Sequence, residues 1–97
     1  MINIVKPVEF DWDSGNTGKN KKHGIEDTES EEAFWDADKI VFIDRAHSAA
    51  EKKFILLGKT KLEKLLYVVF TVRKKKIRII SARRINKRES NLYEKAA

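Results

Sequence analysis

The chain has 97 residues, carries 21 Lys and Arg against 15 Asp and Glu for a formal net charge of +6, and contains no cysteine. That length supports one domain over residues 1–97 with a modest core but no interdomain cleft, so a site has to lie on a sheet face or at an element's end. The missing cysteines exclude a disulfide framework, a thiolate nucleophile and a Cys-based zinc site. The longest apolar run, Leu65–Phe70, is far too short to span a bilayer, and the N-terminus lacks a signal peptide's apolar stretch, so a cytoplasmic chain with no membrane partner is expected.

Val8, Phe10 and Trp12 alternate with Glu9 and Asp11, which predicts a short strand after Pro7. Asp13 to Gly24 has a capping residue in front and a glycine behind but Gly15, Asn16, Gly18 and Asn20 inside, so it predicts a short, weak helix. Its last turn, Lys19-Asn20-Lys21-Lys22-His23, matches a helix dipole's negative end or contacts phosphate. Thr28 and Glu31 have capping-box spacing, and the apolar residues that follow predict a helix over 29–37. Dipole and cap account for its carboxylates without a metal.

Lys39–Arg45 and Lys52–Gly58 are β-branched or apolar runs bounded by turn residues, and each predicts a strand. Lys64–Arg73 and Lys76–Arg84 add two more across a lysine-rich turn, completing a four-stranded antiparallel meander with the N-terminal strand at one edge. Asn86 with Glu89 three residues on predicts a final helix whose sparse apolar content, Leu92 and Tyr93, predicts weak docking. The fold class is therefore α+β, an antiparallel sheet with two N-terminal helices and one C-terminal helix.

Residues 26–38 hold seven acidic and no basic side chains, whereas 72–88 hold nine basic and no acidic ones. Nucleic acid is the first partner this implies and an acidic protein the second. A Lys75-Lys76 loop sets Arg73 opposite Arg78 and Tyr67 opposite Arg84; a three-residue loop puts Arg73 on the face of Arg83. Either way like charges gather, which fits an anionic ligand, or carboxylates from the helix at 29–37 or the final helix that neutralise them. His23 and His47 are the two imidazoles, and Glu51 serves as a general base or as a surface partner of Lys52 or Lys53. For either histidine alone a surface or capping role competes with catalysis.

The order and spacing of F-D-W-D, K-K-H-G-I, E-E-A-F, D-R-A-H-S, E-K-K-F, V-V-F-T-V-R and I-R-I-I-S-A-R-R, with R-E and a tyrosine behind, resemble the BrnT toxins of bacterial type II toxin-antitoxin systems from about Phe10 to Tyr93. The segment between His23 and Phe34 is a few residues longer than usual, and Lys52-Lys53 stand where relatives often carry Glu-Arg. The resemblance implies a RelE-like fold, RNA cleavage that inhibits translation and growth, and neutralisation by a BrnA-like ribbon-helix-helix antitoxin whose complex binds operator DNA. Carried over by position, it points to Arg73, Arg83, Glu51 and His47 as catalytic, and to Lys22, His23, Lys53, Arg78 and Arg84 as RNA-binding. The expected activity is a metal-independent endoribonuclease without cofactor. A non-catalytic nucleic-acid-binding module and a protein-interaction domain with a basic face are the alternatives.

Overall fold

Strands need branched and flat side chains on both faces when both faces are covered, and the four apolar runs of this chain supply them. The structure, a computed structural model, describes residues 9–48 and 50–96. β1 (Ile40–Ile43), β2 (Phe54–Lys59), β3 (Leu65–Arg73) and β4 (Lys76–Arg84) form one sheet in the order β1-β2-β3-β4, every neighbouring pair antiparallel. The meander is the one expected.

Two cores flank the sheet. On one face Val41, Leu56, Leu66, Val68, Phe70 and Ile79 pack against Ile25, Ala33 and Phe34 from the N-terminal helical segments. Phe34 sits edge-on to both Phe10 and Phe70, at centroid distances of 5.3 and 5.0 Å. Gly58 lies under this layer, where an added Cβ would come within 2.4 Å of the Ala33 carbonyl oxygen. The opposite face joins Ile40, Ile55 and Leu57 to Tyr93 of the C-terminal helix α2 (Lys87–Ala96).

α2 starts where the sequence places it, with reciprocal bonds from Glu89 N–H to Asn86 Oδ1 (2.8 Å) and from Asn86 N–H to Glu89 Oε1 (2.9 Å). Polar anchors add to its apolar contact through Tyr93. Tyr93 Oη donates to Asp36 Oδ2 at 2.5 Å, and that same oxygen accepts the Lys59 N–H at 2.8 Å. Burial and the Asp36 carboxylate push the Tyr93 hydroxyl well above the usual tyrosine range.

The N-terminal half departs from expectation. Among residues 9–12 there is no strand, only a parallel bridge between Phe10 and Ile77, closed by Asp11 N–H to Ile77 O (2.8 Å) and Ile77 N–H to Glu9 O (2.9 Å); Val8 lies outside the described residues. The weak helix over 13–24 reduces to a turn and a 3-10 helix at Lys19–His23. Its asparagines are not passive helix breakers, for both are buried against β4. Asn16 Nδ2 donates to Ile79 O at 3.0 Å, and Asn20 Oδ1 accepts the Ala82 N–H at 3.0 Å. These four contacts satisfy edge groups of β4 that would otherwise invite another strand. The helix expected over 29–37 is α1 (Asp27–Glu32) with a 3-10 turn at Ala33–Trp35; its capping partner pair is Glu26 and Glu29. Glu31, read as part of the cap, instead accepts the Trp12 indole N–H at 2.6 Å.

The β3–β4 register is neither of the two considered. The loop is Lys74-Lys75, with Arg73 opposite Lys76 and Thr71 opposite Arg78, and the pairing then slips so that Phe70 faces Ile79 while Val69 faces Ser81. Ile80 is the extra residue of a β-bulge. Lys74 and Lys75 have φ of 49° and 67°, the two positive values of a type I′ turn, which side chains with a Cβ adopt at a cost. Replacing them together by Asn-Gly (K74N/K75G) is expected to add about 1 kcal/mol of stability. Thermal unfolding followed by circular dichroism should then show Tm raised by roughly 4–8 °C.

Candidate functional site

Partners directly opposite in a strand pair share a face, and residues along a strand alternate. Thr71, Arg73 and Tyr67 therefore lie on the face of β3 that α2 covers, and their neighbours Arg78 and Arg83 on the same face of β4. Arg84, opposite Leu66, lies on the other face and is exposed. The bulge is what gathers three arginines here, because Arg78 and Arg83, an odd number of positions apart, would take opposite faces of an unbroken strand.

Arg73 and Arg78 meet Glu51, Lys53 and Lys19 around a cavity of about 280 Å³ at the β4 edge of this face. Glu51 forks Arg73, with Nε donating to Oε2 at 2.7 Å and Nη2 to Oε1 at 2.9 Å. Asp13 forks Arg78 in the same way, Nη2 to Oδ1 at 2.9 Å and Nη1 to Oδ2 at 3.1 Å, with Asp11 Oδ2 at 3.6 Å from Nη1. The cleft thus holds four cations against three carboxylates. Hydrogen bonding from Arg73 holds the Glu51 carboxyl below the usual range, with Lys53 and Arg78 adding to it; hydrogen bonding from Arg78 does the same for Asp13. Each arginine is raised by its carboxylate in turn.

Local chemistry fixes these side chains. The segment carrying Glu51 and Lys53 is tied down by Ser48 Oγ, which accepts the Lys53 N–H at 3.0 Å and donates to Asp44 O, and by Thr71 Oγ1, which donates to Lys52 O at 2.8 Å. Asp13 Oδ1 accepts the Gly15 N–H at 2.7 Å, an Asx turn that aims the carboxylate at Arg78. An added Cβ at Gly15 would lie 2.8 Å from Arg78 Nη2, so a side chain there would push the Arg78 fork aside. Asp13 and Gly15 were not singled out as site residues from the sequence, and Lys19 was named only within the Lys19–His23 cluster read as matching a helix dipole or contacting phosphate. The D-x-G spacing after the first aromatic pair was the available signal.

The other expected residues stand apart from this cleft. Arg83 forks Glu89 of α2 at 2.8 and 2.7 Å, lies 3.9 Å over the Tyr67 ring centroid, and donates to its neighbour Arg84 O at 3.1 Å. The carboxylates that neutralise the face come from α2, the segment before β2 and the N-terminal turn; none comes from α1. His47 is exposed, with Nδ1 3.1 Å from Asp44 Oδ2, and does not line the cavity. Lys22 and His23 are exposed on the 3-10 helix, past Asn20. Among the described residues no three His, Asp or Glu side chains converge as a metal site.

Two guanidiniums lining one cleft with a carboxylate and two ammonium groups suit an oxyanion beside groups that can take and give a proton. A family described as the ribonuclease toxin BrnT of type II toxin-antitoxin systems matches residues 12–89. No curated protein matches the chain.

The Arg83–Glu89 fork carries a pH signature. Arg83 lowers the Glu89 carboxyl below its ordinary 4.5, so this contribution is fully present above about pH 4.5 and is lost as pH falls through the lower folded value. Arg83→Gln should cost about 1 kcal/mol at pH 7 for this partly exposed pair. Urea denaturation at stepped pH is expected to show the gap between wild type and variant closing below pH 4.5.

Proposed function

The chain belongs to the BrnT family of ribonuclease toxins of type II toxin-antitoxin systems, and from that membership we propose that it is one RelE-like domain acting as a metal-independent endoribonuclease. The observation that carries this reading is the Glu51–Arg73 fork beside Arg78 in one cleft. An incoming RNA phosphate competes with Glu51 for Arg73, because both present paired oxygens to the same guanidinium fork. Once displaced, Glu51 loses the hydrogen bonds that depress its pKa and becomes the stronger base.

Glu51 then takes the proton of the ribose 2′-hydroxyl, and the 2′-oxygen attacks phosphorus. Arg73 and Arg78 stabilise the charge that develops on the phosphoryl oxygens. The bond to the 5′-oxygen breaks as that oxygen takes a proton from the Lys53 ammonium, leaving a 2′,3′-cyclic phosphate and a 5′-hydroxyl. Lys19, Lys22, His23 and Arg84 attract flanking phosphates. Arg83 serves α2, to which it is forked. In the cell such cleavage inhibits translation and growth, and a BrnA-like ribbon-helix-helix antitoxin neutralises it and carries the pair to operator DNA.

Purified protein is expected to cut single-stranded RNA in the presence of chelator. Arg73→Ala should lower kcat/KM by about 10²-fold with an unchanged circular dichroism spectrum, and Glu51→Gln by about 10²-fold or more. Arg83→Ala should keep most of the rate while losing stability. His47→Ala separates imidazole from ammonium as the proton source, and full activity is expected. RNA retention that falls steeply with salt but yields no product in any of these samples would replace this reading with a non-catalytic binding module.

A further inference from the structure

The two edges of the sheet are treated differently. β4 has its outer groups covered by Glu9, Asp11, Asn16 and Asn20, whereas nothing among the described residues lies along β1. Asp44 N–H donates to Lys53 O at 2.9 Å, so by alternation Asp44, Phe42 and Ile40 point their backbone groups at β2 while Val41 and Ile43 point theirs outward. Those outward groups have no described partner. Within β1, Ile-Val-Phe-Ile contains no charge, no proline and no bulge, so its shortness is the one edge protection it has.

Beside this edge runs an apolar groove of about 340 Å³ between Ile40, Val41 and Phe42 of β1 and Leu92 and Ala96 of α2. Leu92 is 49 % exposed and Ile43 37 % exposed. Lys39 and Arg45 bracket β1, and Arg88 and Lys95 stand on the outer side of α2 one turn either way from Leu92. None of these four cations is ion-paired with a described residue, whereas Arg73, Arg78 and Arg83 all are. The groove is therefore apolar along its lining, with four unpaired cations, alongside Asp38, Asp44 and Glu94, on the segments that border it.

We propose that β1 and this groove form a docking site for an extended, acidic segment of a protein partner, which adds to the sheet as a fifth strand. Main-chain bonds to Val41 and Ile43 give it register, alternate apolar side chains fill the groove, and its carboxylates meet Lys39, Arg45, Arg88 and Lys95. A second copy of the chain suits the site poorly: it brings the same cations to the same edge, and a four-residue strand buries far less than the roughly 1,000 Å² of a stable interface. The site is separate from the cleft that holds Arg73 and Glu51, so a chain without ribonuclease activity would still answer the following titration.

Two synthetic peptides of equal length, one alternating Glu with Val and one alternating Lys with Val, are titrated into the full chain with backbone amides followed by NMR and hydrogen exchange. The Glu–Val peptide is expected to slow exchange at Val41 and Ile43 and to shift Leu92, and the Lys–Val peptide to do neither. Ile43→Pro removes an outward N–H without touching the β1–β2 ladder, and Leu92→Glu places a negative charge on the groove wall of an exposed helix position; each should weaken the Glu–Val peptide about tenfold or more. Circular dichroism verifies that both variants are folded, and Leu92→Glu keeps the test open if Ile43→Pro is not. Equal binding of the two peptides, protection centred on Arg73 and Arg78, or undiminished affinity in the folded variants would overturn the proposal. So would an RNA oligonucleotide that protects Val41 and Ile43, which would make the edge a nucleic-acid surface.

Discussion

A strand shows alternate side chains to alternate faces, and Arg83 shares the face of Arg73 and Arg78 because this rule is broken once. Ile80 enters β4 as an extra residue, so the positions before and after it are counted from different origins. Arg78 on one side of the bulge and Arg83 on the other come to share the face of Arg73. The same slip leaves Ile77, Ile79 and Ala82 together on the core face, so apolar packing loses nothing by it. A strand without the bulge would have to move either Arg78 or Ala82 to the wrong layer.

Three guanidiniums on one sheet face repel one another, and each is answered by a carboxylate from a different segment: Glu51 before β2, Asp13 in the N-terminal turn and Glu89 at the start of α2. Each fork does a second job in the fold. Arg78 pins the N-terminal turn to the edge of β4, where Asn16 and Asn20 cover the strand's free backbone groups. Arg83 pins α2 and shares that work with the Tyr93–Asp36 bond at the helix's other half. Only the Arg73–Glu51 fork joins two groups that are both substantially exposed, with side chains 50 % and 34 % accessible. It is the fork that solvent, or an anion, reaches most easily.

The strands were legible because their evidence is local: β-branched and aromatic runs with punctuation between them give β1 to β4 within one or two residues. The cap of α2 was legible for the same reason, since Asn86 and Glu89 carry the whole motif within one turn. The register of β3 and β4 was not, because a bulge has no composition of its own in I-R-I-I-S and the Lys74-Lys75 turn lacks the Asn-Gly signal of a type I′ loop. Asn16 and Asn20 were read by helix propensity, which counts their cost in a helix and is blind to an edge strand that arrives some sixty positions later. At the site, Arg73, Arg78, Glu51 and Lys53 were all named from the sequence, yet their separation from Arg83 depends on α2 and could not be read from β4 alone.

The forked state of the arginines bears on what the cleft can bind. A free pair of guanidiniums would hold any anion, whereas a pair already holding carboxylates exchanges partners and gains only the difference between the two. That difference favours a ligand with more charge than a carboxylate. A single phosphodiester carries one negative charge, as a carboxylate does, so the surplus would come from the neighbouring phosphates of a strand, drawn by Lys19 and Lys53 and by the chain's net charge of +6. Internal pairing therefore sets a threshold for any anion at this cleft, one that a polyanion would meet more readily than a single carboxylate.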